Sequence, residues 1–284
     1  MMGIISYAQN YEDVLLWRVL KDVNDGFYID VGANDPVELS VTKWFYDQGW
    51  HGINMEPLDV YFQRLCNARP RDINLRQVAG AKREKLTFYD VAGVGLSTTS
   101  REIAEGYRER GIPVDGKEVE VVPLRDICEE YAHDREIHFL KVDTEGNEFD
   151  VLRGMDFQKF RPWILVVEAT LPCSTVLSVD FDEMIRGQSY EFSFFDGLNY
   201  YYVAKEKAEA FGSKLSIPAN VFDDFVQADK VQLTQQRDVL KQRLAQMTQE
   251  LEKMKKERKS LKGDRETAQV EDAGSIRLKG AGLE

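Results

Sequence analysis

Three carboxylates near predicted strand ends have the types and spacing to do chemistry. Asp143 follows the apolar run 137–142, Glu145 comes two residues later, and Glu168 ends the next apolar run. In parallel α/β sheets, ligands bind where strands end, so these side chains should surround one crevice. Carboxylates so close raise each other's pKa, which suits a general base, or they share a cation. We predict a catalytic centre and leave two alternatives open: a divalent metal ion, and helix capping by Asp143 and Glu145.

A second polar group follows an earlier predicted strand. The apolar run 27–31 contains Asp30 and leads into Gly32 and Asn34, and the next predicted strand ends at Glu56. Glycine at such a turn admits close approach of the backbone to a ligand. A carboxylate about 20 residues further on is typical of a ribose-hydroxyl acceptor in nucleoside-binding folds. The spacing predicts a nucleoside site.

The loop after the first strand narrows the choice of nucleoside. A dinucleotide site uses G-x-G-x-x-G/A, whose glycines admit a pyrophosphate. Here the second and third glycine positions hold Asn34 and Val37, and Pro36 precedes Val37. S-adenosylmethionine, with its ribose and positive sulfonium, suits acidic and amide side chains without a phosphate cradle. An oxidoreductase with an unusual nucleotide loop remains an alternative.

Alternating apolar runs and helical patterns position these groups and predict an α/β fold. Helices are expected at residues 38–48 and 59–68, a third strand at 73–79, and a terminal antiparallel strand pair at 189–195 and 200–204. The opening segment predicts a helix to about Lys21, capped by Asn10 with Asp13 three residues on. Hydroxyl side chains at residues 97–100 follow a glycine-containing loop, and helix capping competes there with a role near the site.

With these motifs in place, the sequence resembles the FkbM family of S-adenosylmethionine-dependent O-methyltransferases. The residues that carry the resemblance are Ser6–Asp13, Ile29–Pro36, Gly49–Pro57, Phe139–Glu148, Val166–Glu168 and Phe195–Tyr201. It implies a Rossmann-like class I methyltransferase sheet, mostly parallel with an antiparallel terminal strand pair. It implies catalysis by Asp143, Glu145 and Glu168 on a hydroxyl of a carbohydrate or glycoconjugate, such as a bacterial surface polysaccharide.

The resemblance also implies roles for residues outside the strand-end motifs. In similar proteins the opening segment folds over the cofactor, and a serine-containing turn lies near the active site. The expected cofactor-binding residues are therefore Tyr7, Gln9, Asn10, Asp30, Gly32, Asn34, Glu56 and Ser97. The turn at 196–199 is expected to contact the acceptor through Asp196 and Asn199, although Asp-Gly and Asn also suit a turn on geometry alone.

Composition limits the partners and the compartment. The 284-residue chain has a net charge of −12, which argues against nucleic acid as a partner. Its three cysteines are scattered, as free thiols in a reducing compartment would be. No apolar run reaches 18 residues, and the start lacks a secretory pattern. We expect a cytoplasmic protein, with contact to the inner face of a membrane left open.

The last part of the chain has a different texture. Val226, Leu233, Leu240, Met247, Met254 and Leu261 recur every seven residues, as in a coiled coil. We predict a methyltransferase domain over 1–215, a long coiled-coil helix over 216–263, stopped by Gly263, and a disordered tail over 264–284. The helix is expected to form a homo-oligomer. Residues 230–265 carry a net charge of +6, and the basic run Lys253–Lys259 within them could contact anionic lipid, while the helix could reach a glycan-assembly partner. A non-catalytic scaffold that assembles partners through this helix is the alternative function.

Overall fold

The computed structural model describes the backbone of residues 3–91, 97–172 and 174–279, and side chains as far as residue 258. The predicted glycine loop at 92–96 lies outside these residues. The chain divides into two compact units, Met1–Gln227 and Ala228–Glu284.

The first unit contains twelve strands, eight α-helices and two short 3₁₀-helices among the described residues. The strands are β1 (Ile4–Ser6), β2 (Phe27–Val31), β3 (His51–Met55), β4 (Ile73–Leu75), β5 (Val78–Ala79), β6 (Glu84–Val91), β7 (Val114–Val122), β8 (Phe139–Val142), β9 (Ile164–Glu168), β10 (Tyr190–Phe195), β11 (Asn199–Ala204) and β12 (Phe225–Gln227). The helices are α1 (Glu12–Leu20), α2 (Lys43–Asp47), α3 (Asp59–Ala68), α4 (Arg101–Glu109), α5 (Leu124–Tyr131), α6 (Glu148–Arg153), α7 (Asp182–Gly187) and α8 (Ala208–Leu215).

A seven-stranded sheet in the order β10-β11-β9-β8-β2-β3-β4 forms the centre of this unit. Strands β4, β3, β2, β8 and β9 are parallel, and β11 is antiparallel to both β9 and β10. The predicted α/β class with mostly parallel strands and the predicted terminal antiparallel pair are therefore confirmed. Strands β2, β8 and β9 are buried along their whole length, as parallel strands covered on both faces should be.

Alternate side chains of the central strands pack into two separate cores. Ile29 and Leu140 face a core that includes residues of α5, α6 and α7. Tyr28 and Phe139 face the other core, with residues of α1, α2 and α8. Helices therefore cover both faces and leave the carboxyl ends of the strands as the open edge.

Two predicted elements differ in the structure. The run 73–79 divides into β4, which joins the large sheet, and β5, which joins the three-stranded sheet β5-β7-β6. Two polar residues, Arg76 and Gln77, separate them. The expected helix at 38–48 is reduced to α2. Leu39 has a φ of 56°, and Asp35 accepts the backbone N–H groups of Val37 and Glu38, so this stretch forms a loop.

The end of the first unit returns to its beginning. Strand β12 pairs in parallel with β1, and Arg18 of α1 contacts Asp223 through both of its carboxylate oxygens, each at 2.7 Å. Arg18 also donates to the carbonyl oxygens of Lys214, Ile217 and Pro218. Residues 216–227 thus belong to the first unit, so the long helix begins later than the predicted Ser216.

The second unit contains one long helix, α9 (Ala228–Lys279). It continues past the expected stop at Gly263, so residues 264–279 are helical where a disordered tail was predicted. One glycine within a helix costs only about 1 kcal/mol relative to alanine, so it need not end one. No helix in the described part of the chain is long and apolar enough to cross a membrane.

Candidate active site

A cavity of about 490 Å³ lies at the open edge of the large sheet. The segments that follow β2, β3 and β8 line it, together with Phe88 of β6 and residues 97 and 99 beyond that strand. Among the predicted site residues, those that line it are Gln9, Asp30, Gly32, Asn34, Glu56, Ser97, Asp143 and Glu145. Six of these eight residues were predicted from their positions at strand ends, and Gln9 and Ser97 from the family resemblance. The third predicted catalytic residue, Glu168, is not among the described lining residues.

The backbone conformation and close packing at residue 32 require a glycine. Gly32 adopts a φ of 80°, which L side chains rarely adopt, and a Cβ there would collide with the backbone carbonyl of Asp143. The turn after β2 and the turn after β8 therefore approach each other closely. Glycine at this position places the Asp143 segment directly beside the first loop.

Glu56 joins the two segments that surround the predicted nucleoside site. Its Oε2 accepts the N–H of Asn34 at 2.9 Å, and its Oε1 accepts the N–H of Leu58 at 2.7 Å. Burial raises the pKa of Glu56 to about 7, although these two hydrogen bonds oppose the shift. Each carboxylate oxygen keeps a second lone pair, so Glu56 can still accept from a ribose hydroxyl.

Lys141 lies at the floor of the cavity between two acids. Its Nζ is 3.5 Å from Asp30 Oδ1 and 3.3 Å from Asp143 Oδ2, and it donates to the carbonyl oxygen of Gly32 at 3.1 Å. Burial alone would lower the pKa of Lys141, but the charges of Asp143 and Asp30 raise it above its ordinary value. Asp30 is also fixed by the Thr42 hydroxyl, at 3.0 Å. A charged lysine therefore orients Asp143 toward the cavity.

Asp143, Glu145 and Glu168 form what we call the site cluster. One carboxylate oxygen of each lies within 4.8 Å of the other two. Glu145 Oε2 and Glu168 Oε2 are buried and have no hydrogen-bond partner among the described residues. The Asp143 side chain is about one-third exposed (32%), whereas Glu168 is buried.

Local backbone chemistry explains how Glu145 is presented. Its φ is 56°, and Gly146 follows with a φ of 96°. Glu148, the first residue of α6, accepts the N–H groups of Thr144 and Gly146 at 2.8 and 3.2 Å. The Thr98 hydroxyl donates to the carbonyl oxygen of Glu145 at 2.8 Å. These contacts hold the turn in a left-handed conformation that a non-glycine residue adopts at some cost.

The electrostatics of the site cluster favour the neutral carboxyl form of Glu145 and Glu168. Burial, followed by the charges of Asp143 and Glu148, raises the pKa of Glu145 to about 8. Burial also raises the pKa of Glu168, with the charges of Asp143, Glu145 and Glu148 adding to the shift. Perturbed titratable groups beside a cavity are typical of functional sites.

The same oxygens form a donor set that could hold a hard divalent cation. Three carboxylates are the ligand type that Mg²⁺ and Ca²⁺ prefer, and two of their oxygens lack hydrogen bonds to described groups. Lys141 already contacts Asp143 and would repel such a cation. Protonation of Glu145 and Glu168 therefore accounts for these oxygens as well as a bound metal ion does.

The opening segment contributes less to the cavity than expected. Gln9 lines it, whereas Tyr7 and Asn10 are not among the described lining residues. Asn10 does not cap α1: the residue before the helix is Tyr11, with a φ of 65°. Asp13 instead accepts the Ser6 hydroxyl and the N–H groups of Tyr7 and Ala8. The cofactor contacts predicted for Tyr7 and Asn10 stay predictions.

The hydroxyl side chains at residues 97–100 have two different roles, cavity lining and helix capping. Ser97 lines the cavity and accepts the N–H of Val91 at 3.4 Å. Ser100 caps α4 by accepting the N–H of Ile103. Capping therefore belongs to Ser100, and Ser97 is free to face the cavity.

Asp196 and Asn199 belong to a second group, which we call the anchoring cluster, with Glu12 and Tyr201. Asp196 accepts the N–H groups of Leu198 and Asn199 on Oδ1, and on Oδ2 the Tyr201 hydroxyl at 2.8 Å. The Asn199 amide donates to Glu12 Oε1 at 2.9 Å. These bonds join the hairpin turn to the start of α1. Neither Asp196 nor Asn199 is among the described residues that line the cavity, so their predicted acceptor contact stays a prediction.

Sequence reasoning missed two cavity residues on α3. Tyr61 and Arg64 both line the cavity, and Arg64 stacks over the Tyr61 ring and pairs with Asp35 at 2.8 Å. Their spacing of three residues places them on one face of the helix that follows Glu56. That spacing is a signal the sequence offered.

The charge of the cavity defines a class of ligand. Among the described lining residues, six are acids and two are bases: Asp30, Asp35, Glu38, Glu56, Asp143 and Glu145 against Arg64 and Lys141. Both bases are already paired with acids. With Glu145 protonated, five acids remain against two bases, so the lining disfavours a pyrophosphate and favours a cationic nucleoside. This fold and this cavity fit a methyltransferase.

Comparison with known families agrees with this class. The sequence model of the methyltransferase FkbM domain matches residues 30–192, more than half of the chain. The chain belongs to the FkbM methyltransferase family, and the predicted resemblance is confirmed. No curated protein matches the chain.

Proposed function

We propose that the chain transfers a methyl group from S-adenosylmethionine to a hydroxyl oxygen of a carbohydrate or glycoconjugate. Membership of the FkbM family supports methyl transfer. The observation that carries the proposal is the acidic cavity, which is lined by the buried strand-end Glu56 and by Asp143 and Glu145 of the site cluster. The strand order and the antiparallel terminal pair support a Rossmann-like class I methyltransferase sheet.

The cofactor would be held at the ends of β2 and β3. Glu56 would accept from the ribose hydroxyls, and its bonds to Asn34 and Leu58 fix its orientation. Tyr61 offers an aromatic face to the same cavity. The acidic lining would favour the sulfonium charge. The cofactor would supply an electrophilic methyl carbon.

The site cluster would receive the proton. The acceptor oxygen would form its bond to the methyl carbon as the sulfur–carbon bond breaks, and the hydroxyl proton would pass to Asp143. Asp143 lines the cavity with its side chain one-third exposed, and Lys141 orients it. Glu145 and Glu168, with raised pKa values, would remain protonated and keep the local charge low. A general base of this kind typically contributes ~10²–10⁴-fold in rate.

A divalent cation on the site cluster is the second form of this mechanism. The unpartnered oxygens of Glu145 and Glu168 favour it, and the nearby Lys141 opposes it. Methyl transfer that continues in the presence of a chelator would exclude the metal-dependent form of the mechanism. Activity lost on chelation and restored by Mg²⁺ would assign it to these carboxylates.

The carbohydrate acceptor rests on the family resemblance. FkbM relatives act on sugars, lipid-linked glycans and polyketides. The test is methyl transfer from labelled S-adenosylmethionine to panels of each acceptor class, followed by mapping of the methylated oxygen. Transfer to a nitrogen or carbon acceptor alone would overturn the O-methylation proposal.

Calorimetric titration with S-adenosylmethionine and S-adenosylhomocysteine tests the cofactor. We expect micromolar binding that Glu56→Ala abolishes and that Asp59→Ala leaves unchanged. Asp59 is an exposed acid at the start of α3, outside the described lining residues, so it is a matched control. Because the pKa of Glu56 is raised to about 7, affinity should increase as the pH rises through that value.

The scaffold alternative gives the opposite result. A chain that only assembles partners would bind neither cofactor at any pH, although it would remain folded by circular dichroism. Binding of a nicotinamide dinucleotide instead would favour the oxidoreductase alternative.

A further inference from the structure

The described part of α9 exposes an apolar stripe, made up of Leu233, Leu240, Leu244, Met247, Leu251 and Met254. Each of these side chains is between 48 and 66% exposed. They occupy the d positions of a heptad (233, 240, 247, 254) and the a positions at 244 and 251. A sustained a/d stripe of this kind is the seam along which helices associate into coiled coils.

We propose that the occupant of this stripe is α9 of a second copy, in a parallel two-stranded coiled coil. Cationic residues occupy the remaining a positions, at Lys230, Arg237 and Arg258. Charged a positions weaken a seam and favour two strands, because long side chains can direct their charge out to solvent only from a narrow interface.

Charges beside the seam set the direction of the pair. With the a and d positions above, position g holds Glu250, and the next e position holds Lys255. In a parallel pair, g of one helix faces the following e of the other, so Glu250 meets the second copy's Lys255. In an antiparallel pair, e faces e, and Lys241 and Lys255 have no acid at any described e position to meet. The parallel pair is therefore electrostatically favoured.

A membrane surface fits the helix less well. The cations at 253–258 are distributed around the helix, and Arg258 lies on the seam itself. An interfacial membrane helix instead separates a continuous apolar face from its charged face.

Sedimentation equilibrium of the full chain across a concentration series tests the pairing. We expect twice the 32.7 kDa chain mass for the wild type. Leu244→Glu with Leu251→Glu should give the mass of one chain. The matched control is Val239→Glu with Gln246→Glu, which adds the same charge at c positions and should keep the dimer mass. Calorimetric binding of S-adenosylmethionine reports whether the first unit is intact in each variant.

A charge exchange tests the direction. Glu250→Lys and Lys255→Glu should each weaken the dimer several-fold, and the double variant should restore it. Failure of the double variant to restore association would overturn the parallel arrangement. A monomeric or trimeric wild type would overturn the two-stranded pair. Equal masses for the seam variant (Leu244→Glu with Leu251→Glu) and its control (Val239→Glu with Gln246→Glu) would overturn it as well. A monomer that pellets with phosphatidylserine vesicles would assign the stripe to a lipid surface instead.

Discussion

Two carboxylate clusters lie side by side on the large sheet and differ in how their oxygens are satisfied. Glu168 of the site cluster pairs in register with Asn199 of the anchoring cluster, across β9 and β11. In the anchoring cluster, both carboxylate oxygens of Asp196 and of Glu12 accept hydrogen bonds. In the site cluster, one oxygen each of Glu145 and Glu168 has no described partner.

The hydrogen bonding of the carboxylate oxygens distinguishes a structural acid from a candidate catalytic acid better than a raised pKa does. Burial raises the pKa of Glu12 to about 7 and that of Glu145 to about 8, so both clusters contain a perturbed carboxyl group. A buried polar atom without a partner is costly and calls for an explanation, such as a ligand or a catalytic role. The unpartnered oxygens therefore favour the site cluster over the anchoring cluster as the place of the proposed chemistry.

The largest expected effect is on turnover. Asp143→Asn should reduce methyl transfer by about 100-fold or more, because it removes the proton acceptor. Asp196→Asn should change turnover only a few-fold once its folded fraction is matched. Single-turnover rates with the acceptor found by the screen measure both variants. Equal losses in both, or none in Asp143→Asn with the cofactor still bound, would contradict the division between the clusters.

The next largest effect is on the free energy of unfolding, which substitution in the anchoring cluster should lower more than substitution in the site cluster. Asp196→Ala removes the acceptor of two backbone N–H groups and the Tyr201 hydroxyl, and should cost about 2–3 kcal/mol of unfolding free energy. Glu168→Gln replaces a protonated carboxyl group, which lacks a partner for one oxygen, by an amide of similar shape, and should be neutral or slightly stabilising. Urea unfolding at fixed pH measures both. A larger loss in Glu168→Gln than in Asp196→Ala would reverse the comparison.

The smallest effect is on the pH dependence of stability. The pKa of Glu145 is raised from 4.5 to about 8, so the folded state holds its proton where the unfolded state has lost it. Stability should therefore fall as the pH rises through this window. Glu145→Gln should reduce the slope between pH 7 and 8 by less than about 1 kcal/mol per unit, whereas Glu12→Gln should act below pH 7, because the pKa of Glu12 is about 7. Unfolding curves at a series of pH values separate the two, and an unchanged slope in Glu145→Gln would disprove a raised pKa at that residue.

The sequence predicted the cavity residues that depend on short-range patterns. Asp30, Glu56 and Asp143 each lie at the end of a short apolar run, so strand position alone brings them to one edge. The anchoring cluster could not be predicted, because Glu12 and Asn199 are distant in the chain and meet only through the folded sheet. The loop before α2 was misassigned because the left-handed residue at Leu39 has no glycine to signal it.

The junction of β1 with β12 has a consequence for how the protein is made. Strand β1 can pair with β12 only after residues 225–227 have been synthesised. The ion pair between Arg18 and Asp223 likewise cannot form before Asp223 has been synthesised. At ribosomal rates of about 5–20 residues per second, this delay lasts roughly tens of seconds. The seven-stranded sheet can assemble during that time, while the opening segment remains unpaired. The opening segment should therefore be the last part of the first unit to become resistant to protease during translation, although it leaves the ribosome before the rest of that unit.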